Sequence, residues 1–169
     1  MRSVILGIAA AMLLFAPAHT EGVTSRIYIV DANLIGKSGT GLWRPTPDDA
    51  QTANIALKKY LLGPKRPGAM TNAESWNDLF RQPIGEHLTD YVLQMAGVRK
   101  SSHGRFYETD GDGPKQILIA GVCKEEAADM KLDTYKTIVL VADGGKCFFD
   151  AVYDLTEDRI TYFAIHGMA

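Results

Sequence analysis

Apolar residues between positions 46 and 63 recur at the helical period, with Ala50, Ala53, Leu57, Tyr60 and Leu61 on one stripe. Thr46 stands as an N-cap, Pro47 occupies the first helical position, Asp48 and Asp49 lie at the positive dipole end, and Gly63-Pro64 supplies the stop. Ile55 and Leu62 fall off the stripe, which suggests a helix with more than one neighbour. A second, shorter helix is predicted over residues 73–80. There Thr71 and Glu74 have the spacing of a capping box, Trp76, Leu79 and Phe80 share a face, and Pro83 is expected to end the helix. The segment from 64 to 70 between them reads as a loop.

From residue 88 the pattern changes to strands. Strands are predicted at 88–98, 105–108, 116–122, 137–142, 147–153 and 159–165, with a short one at 26–30 ahead of the helices. Turn residues separate them at Gly111-Asp112-Gly113-Pro114, at Asp143-Gly144-Gly145-Lys146 and over 154–158, and the Gly- and Pro-rich stretch 36–47 holds no regular element. Helices followed by strands predict an α+β fold, with one or two N-terminal helices packed on a mostly antiparallel sheet. The run 147–153 is rich in Phe, Ala, Val and Tyr, which places it in the middle of that sheet.

One apolar stretch fits neither pattern. Arg2 precedes an uncharged run from Val4 to Phe15, and Ala16-Pro17-Ala18 follows, the signature of an export signal cleaved after Ala18. The run is shorter than the roughly 20 residues that span a hydrocarbon core of about 30 Å, although an uncleaved anchor is the alternative. The expected organisation is a signal peptide over 1–18 and a single α+β domain over 19–169, soluble in the periplasm or secreted, with no membrane span once the signal is removed.

Export changes the reading of the cysteines. Cys123 and Cys147 are the only two in the chain, and in an oxidising compartment an even number predicts a disulfide. Bonding them sets the end of strand 116–122 beside the start of strand 147–153, which makes the two antiparallel neighbours. Strand 137–142 would then join 147–153 from its other side through the hairpin at 143–146. A metal site is the competing reading, but there is no CxxC pair, and His87, His103 and His166 lack helical ligand spacing to one another.

Charge excludes one partner class. The chain has 18 basic and 20 acidic residues, a net charge of -2, and loss of Arg2 with the signal makes it one unit more negative. Nucleic-acid binding rests on clustered Lys and Arg, and the nearest cluster here, Lys58, Lys59, Lys65 and Arg66, reads as a solvated helix end.

Several motifs imitate catalytic or ligand sites. The stretch from Asp31 to Gly36, Lys37 and Ser38 resembles a phosphate-binding loop, but a carboxylate replaces the first glycine and no helix can start after Ser38. Glu108, Asp110, Asp112 and Gly113 imitate the opening of a calcium loop, yet Ile119 stands where the bidentate Glu belongs. Ser101, Ser102 and His103 supply two triad residue types on what reads as a surface turn, without a nucleophile elbow. No catalytic residue, metal or cofactor is therefore assigned. His166 reads as a cap or edge residue, and Trp43 as either a plug for the core or an exposed aromatic anchor.

Four segments share a pattern: Tyr91, Gln94 and Gly97 as Y-x-x-Q-x-x-G; the strand from Gln116 ending at Cys123; Asp143, Gly144, Gly145 and Cys147 as D-G-G-x-C; and the tail His166, Gly167, Ala169. Together they resemble small uncharacterised exported proteins of Gram-negative bacteria, whose tail more often carries Asn where His166 stands. The resemblance covers residues 88–169 and implies a sheet stapled by one disulfide, with no activity to carry over. The resulting expectation is a non-enzymatic binding or inhibitor-type protein acting on an envelope protein or cell-wall component. The alternative is a small hydrolase or ligand-binding protein with a pocket between helix and sheet, lined by Trp43, Tyr91, Gln94 and His166.

Overall fold

The computed structural model describes residues 25–31, 43–64, 72–100 and 113–167, with the side chains of 72–76 excepted. The expectations for the export signal, strand 105–108, the calcium-like loop, the Ser-Ser-His turn, Thr71 and most of the phosphate-loop imitation lie outside the described residues. Five strands form one sheet in the order β1-β2-β3-β4-β5: β1 (Arg26–Ile29), β2 (Tyr91–Arg99), β3 (Lys115–Cys123), β4 (Phe148–Asp154) and β5 (Arg159–Ile165). The four later strands run antiparallel in sequence order, and β1 lies parallel to β2 at the edge. A parallel neighbour requires a crossover connection. Here it contains both long helices, α1 (Pro47–Leu61) and α2 (Asn72–Glu86).

The start of α1 follows from its sequence. The Thr46 hydroxyl accepts the Asp49 backbone N–H at 3.1 Å, and the Asp49 carboxylate accepts the Thr46 backbone N–H at 2.9 Å, a reciprocal capping box ahead of Pro47. The Thr46 backbone N–H, and after it the Thr46 hydroxyl donating to the same carboxylate at 2.7 Å, hold the Asp49 carboxyl below its ordinary range. Ala50, Ala53, Leu57 and Leu61 are buried as the stripe predicts, Tyr60 is half-buried, and Ile55 and Leu62 are exposed.

Helix α2 differs from expectation. It continues through Pro83 to Glu86, so proline does not end it. Proline removes one N–H donor, but its carbonyl still accepts, and His87 N–H donates to Pro83 O at 3.2 Å. Downstream, Ile84 is buried and anchors the turn after the proline. Near the middle of α2 the buried Arg81 closes the end of α1. Its guanidinium donates to the carbonyls of Tyr60, Gly63 and Pro64 and lies 3.3 Å from the Asp78 carboxylate.

Alternation along the strands divides the sheet into two apolar faces. Leu93, Met95, Ile117, Ile119, Phe149, Ala151 and Phe163 belong to one buried cluster with Ala50, Ala53, Leu57 and Leu61 of α1 and Ile84 of α2. On the opposite face, Ala96, Val98, Leu118, Ala120 and Val152 cluster with Ile138 and, partly, Leu140. Val92, Val122 and Phe148 cluster with Leu132, and with Ala127 of a short helix, α3 (Lys124–Asp129). Burial on both faces explains why β2, β3 and β4 read as nearly continuous apolar runs.

The segment 137–142 is not a strand, contrary to the sequence expectation, and β5 rather than this segment flanks β4. It crosses the second face as an irregular strap. Ile138 is buried and Val139, Leu140 and Val141 are half-buried, but its backbone groups find other partners. Asp31 N–H donates to Lys136 O, Ile138 N–H donates to Asp31 O, and Val139 N–H donates to the Gln94 side-chain oxygen at 2.8 Å.

The exposed edge of β5 is closed by a side chain. Asn77 of α2 accepts the Ile165 N–H at 2.8 Å and donates to the Phe163 carbonyl at 3.2 Å, copying the pairing of a neighbouring strand.

Candidate functional site

At one end of the sheet, β3 finishes at Cys123 and Cys147 immediately precedes β4. A disulfide joins them, with a Cα–Cα distance of 4.9 Å. The strands it links are antiparallel neighbours, as the cysteine positions predict. Tyr91 lies opposite Cys123 in register, and its hydroxyl donates to the Lys146 carbonyl at 2.9 Å. Burial raises the Tyr91 phenol above its ordinary pKa, with Asp90 adding to the shift, so it acts as a neutral donor.

The turn before Cys147 does not make a hairpin with the strap. It grips the tail: Gly144 and Gly145 N–H both donate to Gly167 O, at 3.1 and 3.2 Å, and His166 N–H donates to Phe148 O. Gly144 and Gly145 have φ of 139° and 59°, conformations that favour glycine and point both donors at one carbonyl. Tyr91, Cys123, the D-G-G-x-C turn and the tail thus meet in one fastened corner.

Gln94 and His166 occupy the other face. Gln94 is fully buried, and its side-chain oxygen holds the strap at Val139, leaving its side-chain nitrogen with no partner among the described residues. In the same row across the sheet, Gln94 pairs with Ala120, Ala120 with Asp150, and Asp150 with Ala164. His166 Nε2 lies 3.1 Å from the Asp150 carboxylate, with the histidine side chain 15% exposed and the aspartate 7%. The hydrogen bond to Asp150 raises the His166 pKa above 6.5; burial opposes this, while the Asp150 charge, the Ala142 carbonyl and the Asp143 charge reinforce it.

Asp150 is the residue the sequence reading missed. Its signal was a carboxylate inside the apolar run Phe148-Phe149-Asp150-Ala151-Val152. Asp154 in the same strand is fully buried; burial alone would raise its pKa, but bonds from the Gln116 side chain and the backbones of Glu157 and Thr156 lower it. Tyr153 donates to Asp158 at 2.7 Å, and burial followed by that bond pushes its pKa up to about 12.

Trp43 is half-buried. Its backbone bridges Gly97, its indole N–H donates to Val98 O at 2.9 Å, and the Lys115 ammonium lies 4.8 Å from the ring centroid. The ring lies over Gly97, where a Cβ would come within 2.8 Å of it. Tyr91 and Trp43 therefore belong to the face carrying Leu93 and Met95, whereas Gln94 and His166 belong to the other. The four do not line one pocket.

Open clefts are present among the described residues. One of about 400 Å³ borders the disulfide and includes Tyr91, His87, Lys124 and Lys146. Another of about 620 Å³ lies between α1, α2 and the start of β5, where Arg81 is already engaged with backbone carbonyls and Arg159 with Glu157. Among the described residues no group of three or more His, Cys, Asp or Glu side chains could hold a metal ion, and no helix is long and apolar enough to cross a membrane. Asp31, where the phosphate-loop imitation starts, pairs with Arg44 at 2.7 Å. Compared with protein-family models, curated proteins and solved structures, the chain has no match.

Proposed function

We propose that the chain is an exported, non-enzymatic binding protein of the bacterial envelope, belonging with the small exported proteins that its four motifs resemble. In this reading residues 1–18 are removed, and 19–169 form one α+β domain in which α1 and α2 cover one face of the sheet. The observation that carries the reading is the engagement of the polar residues singled out in the sequence. Tyr91 holds Lys146, Gln94 holds Val139 and Trp43 holds Val98, each through a backbone carbonyl or N–H. With these groups committed to fastening the fold, the outer surface is left to meet a partner. The disulfide suits an oxidising compartment.

The exposed apolar side chains Ile55, Leu79 and Tyr135 offer positions for photo-crosslinking in intact cells. The expected result is an adduct of discrete mass with one envelope protein or with peptidoglycan from at least one position, competed by the purified chain. The alternative, a small hydrolase or ligand-binding protein, draws on the cleft beside the disulfide. A small molecule co-purifying with the chain in native mass spectrometry, with no adduct from any position, would replace the binding reading with that one.

A further inference from the structure

Strand β1 is paired on one side only, at the edge of the sheet. Val30 N–H donates to Met95 O, so in this parallel pairing Arg26, Tyr28 and Val30 turn their backbone groups toward β2, while Ile27, Ile29 and Asp31 turn theirs outward. The far end of that outer row is engaged. Asp31 exchanges bonds with Lys136 and Ile138 of the strap, and Arg44 donates to Ile29 O at 3.0 Å. The N–H and C=O of Ile27 and the N–H of Ile29 have no partner among the described residues. Unpaired edge groups of this kind are a template for another strand.

Beside this gap lies a groove of about 370 Å³. It is lined by Tyr28 together with three exposed cations, Arg26, Lys124 and Lys131, against one carboxylate, Asp133. None of the three cations forms an ion pair among the described residues. The whole chain has a net charge of -2, so this local excess of positive charge runs against the overall balance. Ile27 and Ile29, on the other side of the strand, pack against the core cluster that includes α1.

We propose that the open edge of β1 binds a partner protein through an extended segment with alternating acidic and apolar side chains, added to the sheet beside Ile27 and Ile29. This names the partner chemistry of the binding reading above and rests on it. Strand addition draws its affinity from backbone hydrogen bonds and its specificity from alternate side chains. Here the three open backbone groups supply the bonds. Acidic side chains on the groove side meet Arg26, Lys124 and Lys131, and apolar ones on the other side lie along Ile27 and Ile29. The strap at Asp31 fixes where the added segment stops. A second copy of this chain suits the edge less well, because a twofold pairing sets the same cations against one another.

The test begins with amide exchange in the free, disulfide-bonded chain, where Ile27 and Ile29 should exchange freely while Tyr28 and Val30 are protected. The same chain is then offered a displayed library of random decapeptides, and enrichment of sequences with acids at alternate positions is expected. An enriched peptide, synthesised, should protect the Ile27 and Ile29 amides. Lys131→Glu should weaken its binding by about tenfold at low salt and by less at about 0.5 M salt, because exposed charges are screened. Arg26→Glu repeats the charge test where the first variant folds poorly, and Ile27→Pro, which removes an outward N–H without touching the β2 ladder, should also weaken binding. Ile27 and Ile29 amides already protected in the free chain, no enrichment, enriched peptides without acids, or unchanged binding by both charge variants would each overturn the site. Polyglutamate that binds as tightly as the enriched peptide would overturn strand addition in favour of charge attraction alone. Crosslinked adducts from Ile55, Leu79 or Tyr135 beside a failed selection would remove this site and leave the binding reading standing, whereas a bound small molecule with no adduct would remove the reading beneath it.

Discussion

Gly121→Ala is expected to lower the melting temperature by about 6–12 °C, since overpacking at a site that cannot yield costs about 3 kcal/mol and each kcal/mol shifts a domain of this size by about 2–4 °C. A Cβ at position 121 would come within 2.2 Å of the Phe149 ring, which lies directly opposite on β4. That ring is fully buried and packed against two others, Tyr91 at 5.4 Å and Phe163 at 5.6 Å between centroids. Phe149→Ala alone should cost about 3–5 kcal/mol through the cavity it leaves. In the double variant the new methyl enters space the ring has vacated, so the combined loss should fall short of the sum by about 1 kcal/mol or more. Urea denaturation of the four proteins measures that coupling, and additive losses would contradict the contact.

Arg81→Met should be comparably damaging. Its guanidinium satisfies three carbonyls, one in the last turn of α1 and two just beyond it, at the negative end of the helix dipole, and stacks 5.2 Å from the Tyr60 ring centroid. It is also the counter-charge of Asp78, and both side chains are more than nine-tenths buried. Breaking such a pair from one side costs about 3–5 kcal/mol, largely because the remaining charge is left alone in a poorly hydrated site. Asp78→Asn in the Arg81→Met background should therefore recover part of the loss. Equal stability of the single and double variants would show that the carbonyl contacts, not the ion pair, dominate.

Local signals made much of the architecture legible. Thr46, Pro47, Asp48 and Asp49 marked the start of α1 because capping and the helix dipole act within one turn, and the cysteines marked the β3–β4 neighbours because a covalent bond fixes their separation. What failed depended on contacts far apart in the chain. The apolar stretch Thr137-Ile138-Val139-Leu140-Val141 suits a strand and a buried strap equally well. The choice is made by Asp31 and Gln94, which supply the backbone partners a neighbouring strand would have given. Pro83 reads locally as a stop, yet burial of Ile84 and the bond from His87 carry α2 past it. The Asp150–His166 pair is equally non-local, since it forms only when β4 and β5 align Asp150 with Ala164. Tyr91, Gln94 and Trp43 were visible as unusual residues, but strand alternation divides them between two faces, and their roles in fastening the fold appear only with the pairing partners in place.

Export into an oxidising compartment as a disulfide-stapled chain is the claim on which the proposed function rests. It is tested most directly by mass spectrometry of the non-reduced protein recovered from a periplasmic extract. The expected result is a chain beginning at His19, with a single linked peptide pair joining Cys123 and Cys147. A chain retained in the cytosol with residues 1–18 intact, and with both thiols open to alkylation, would contradict it.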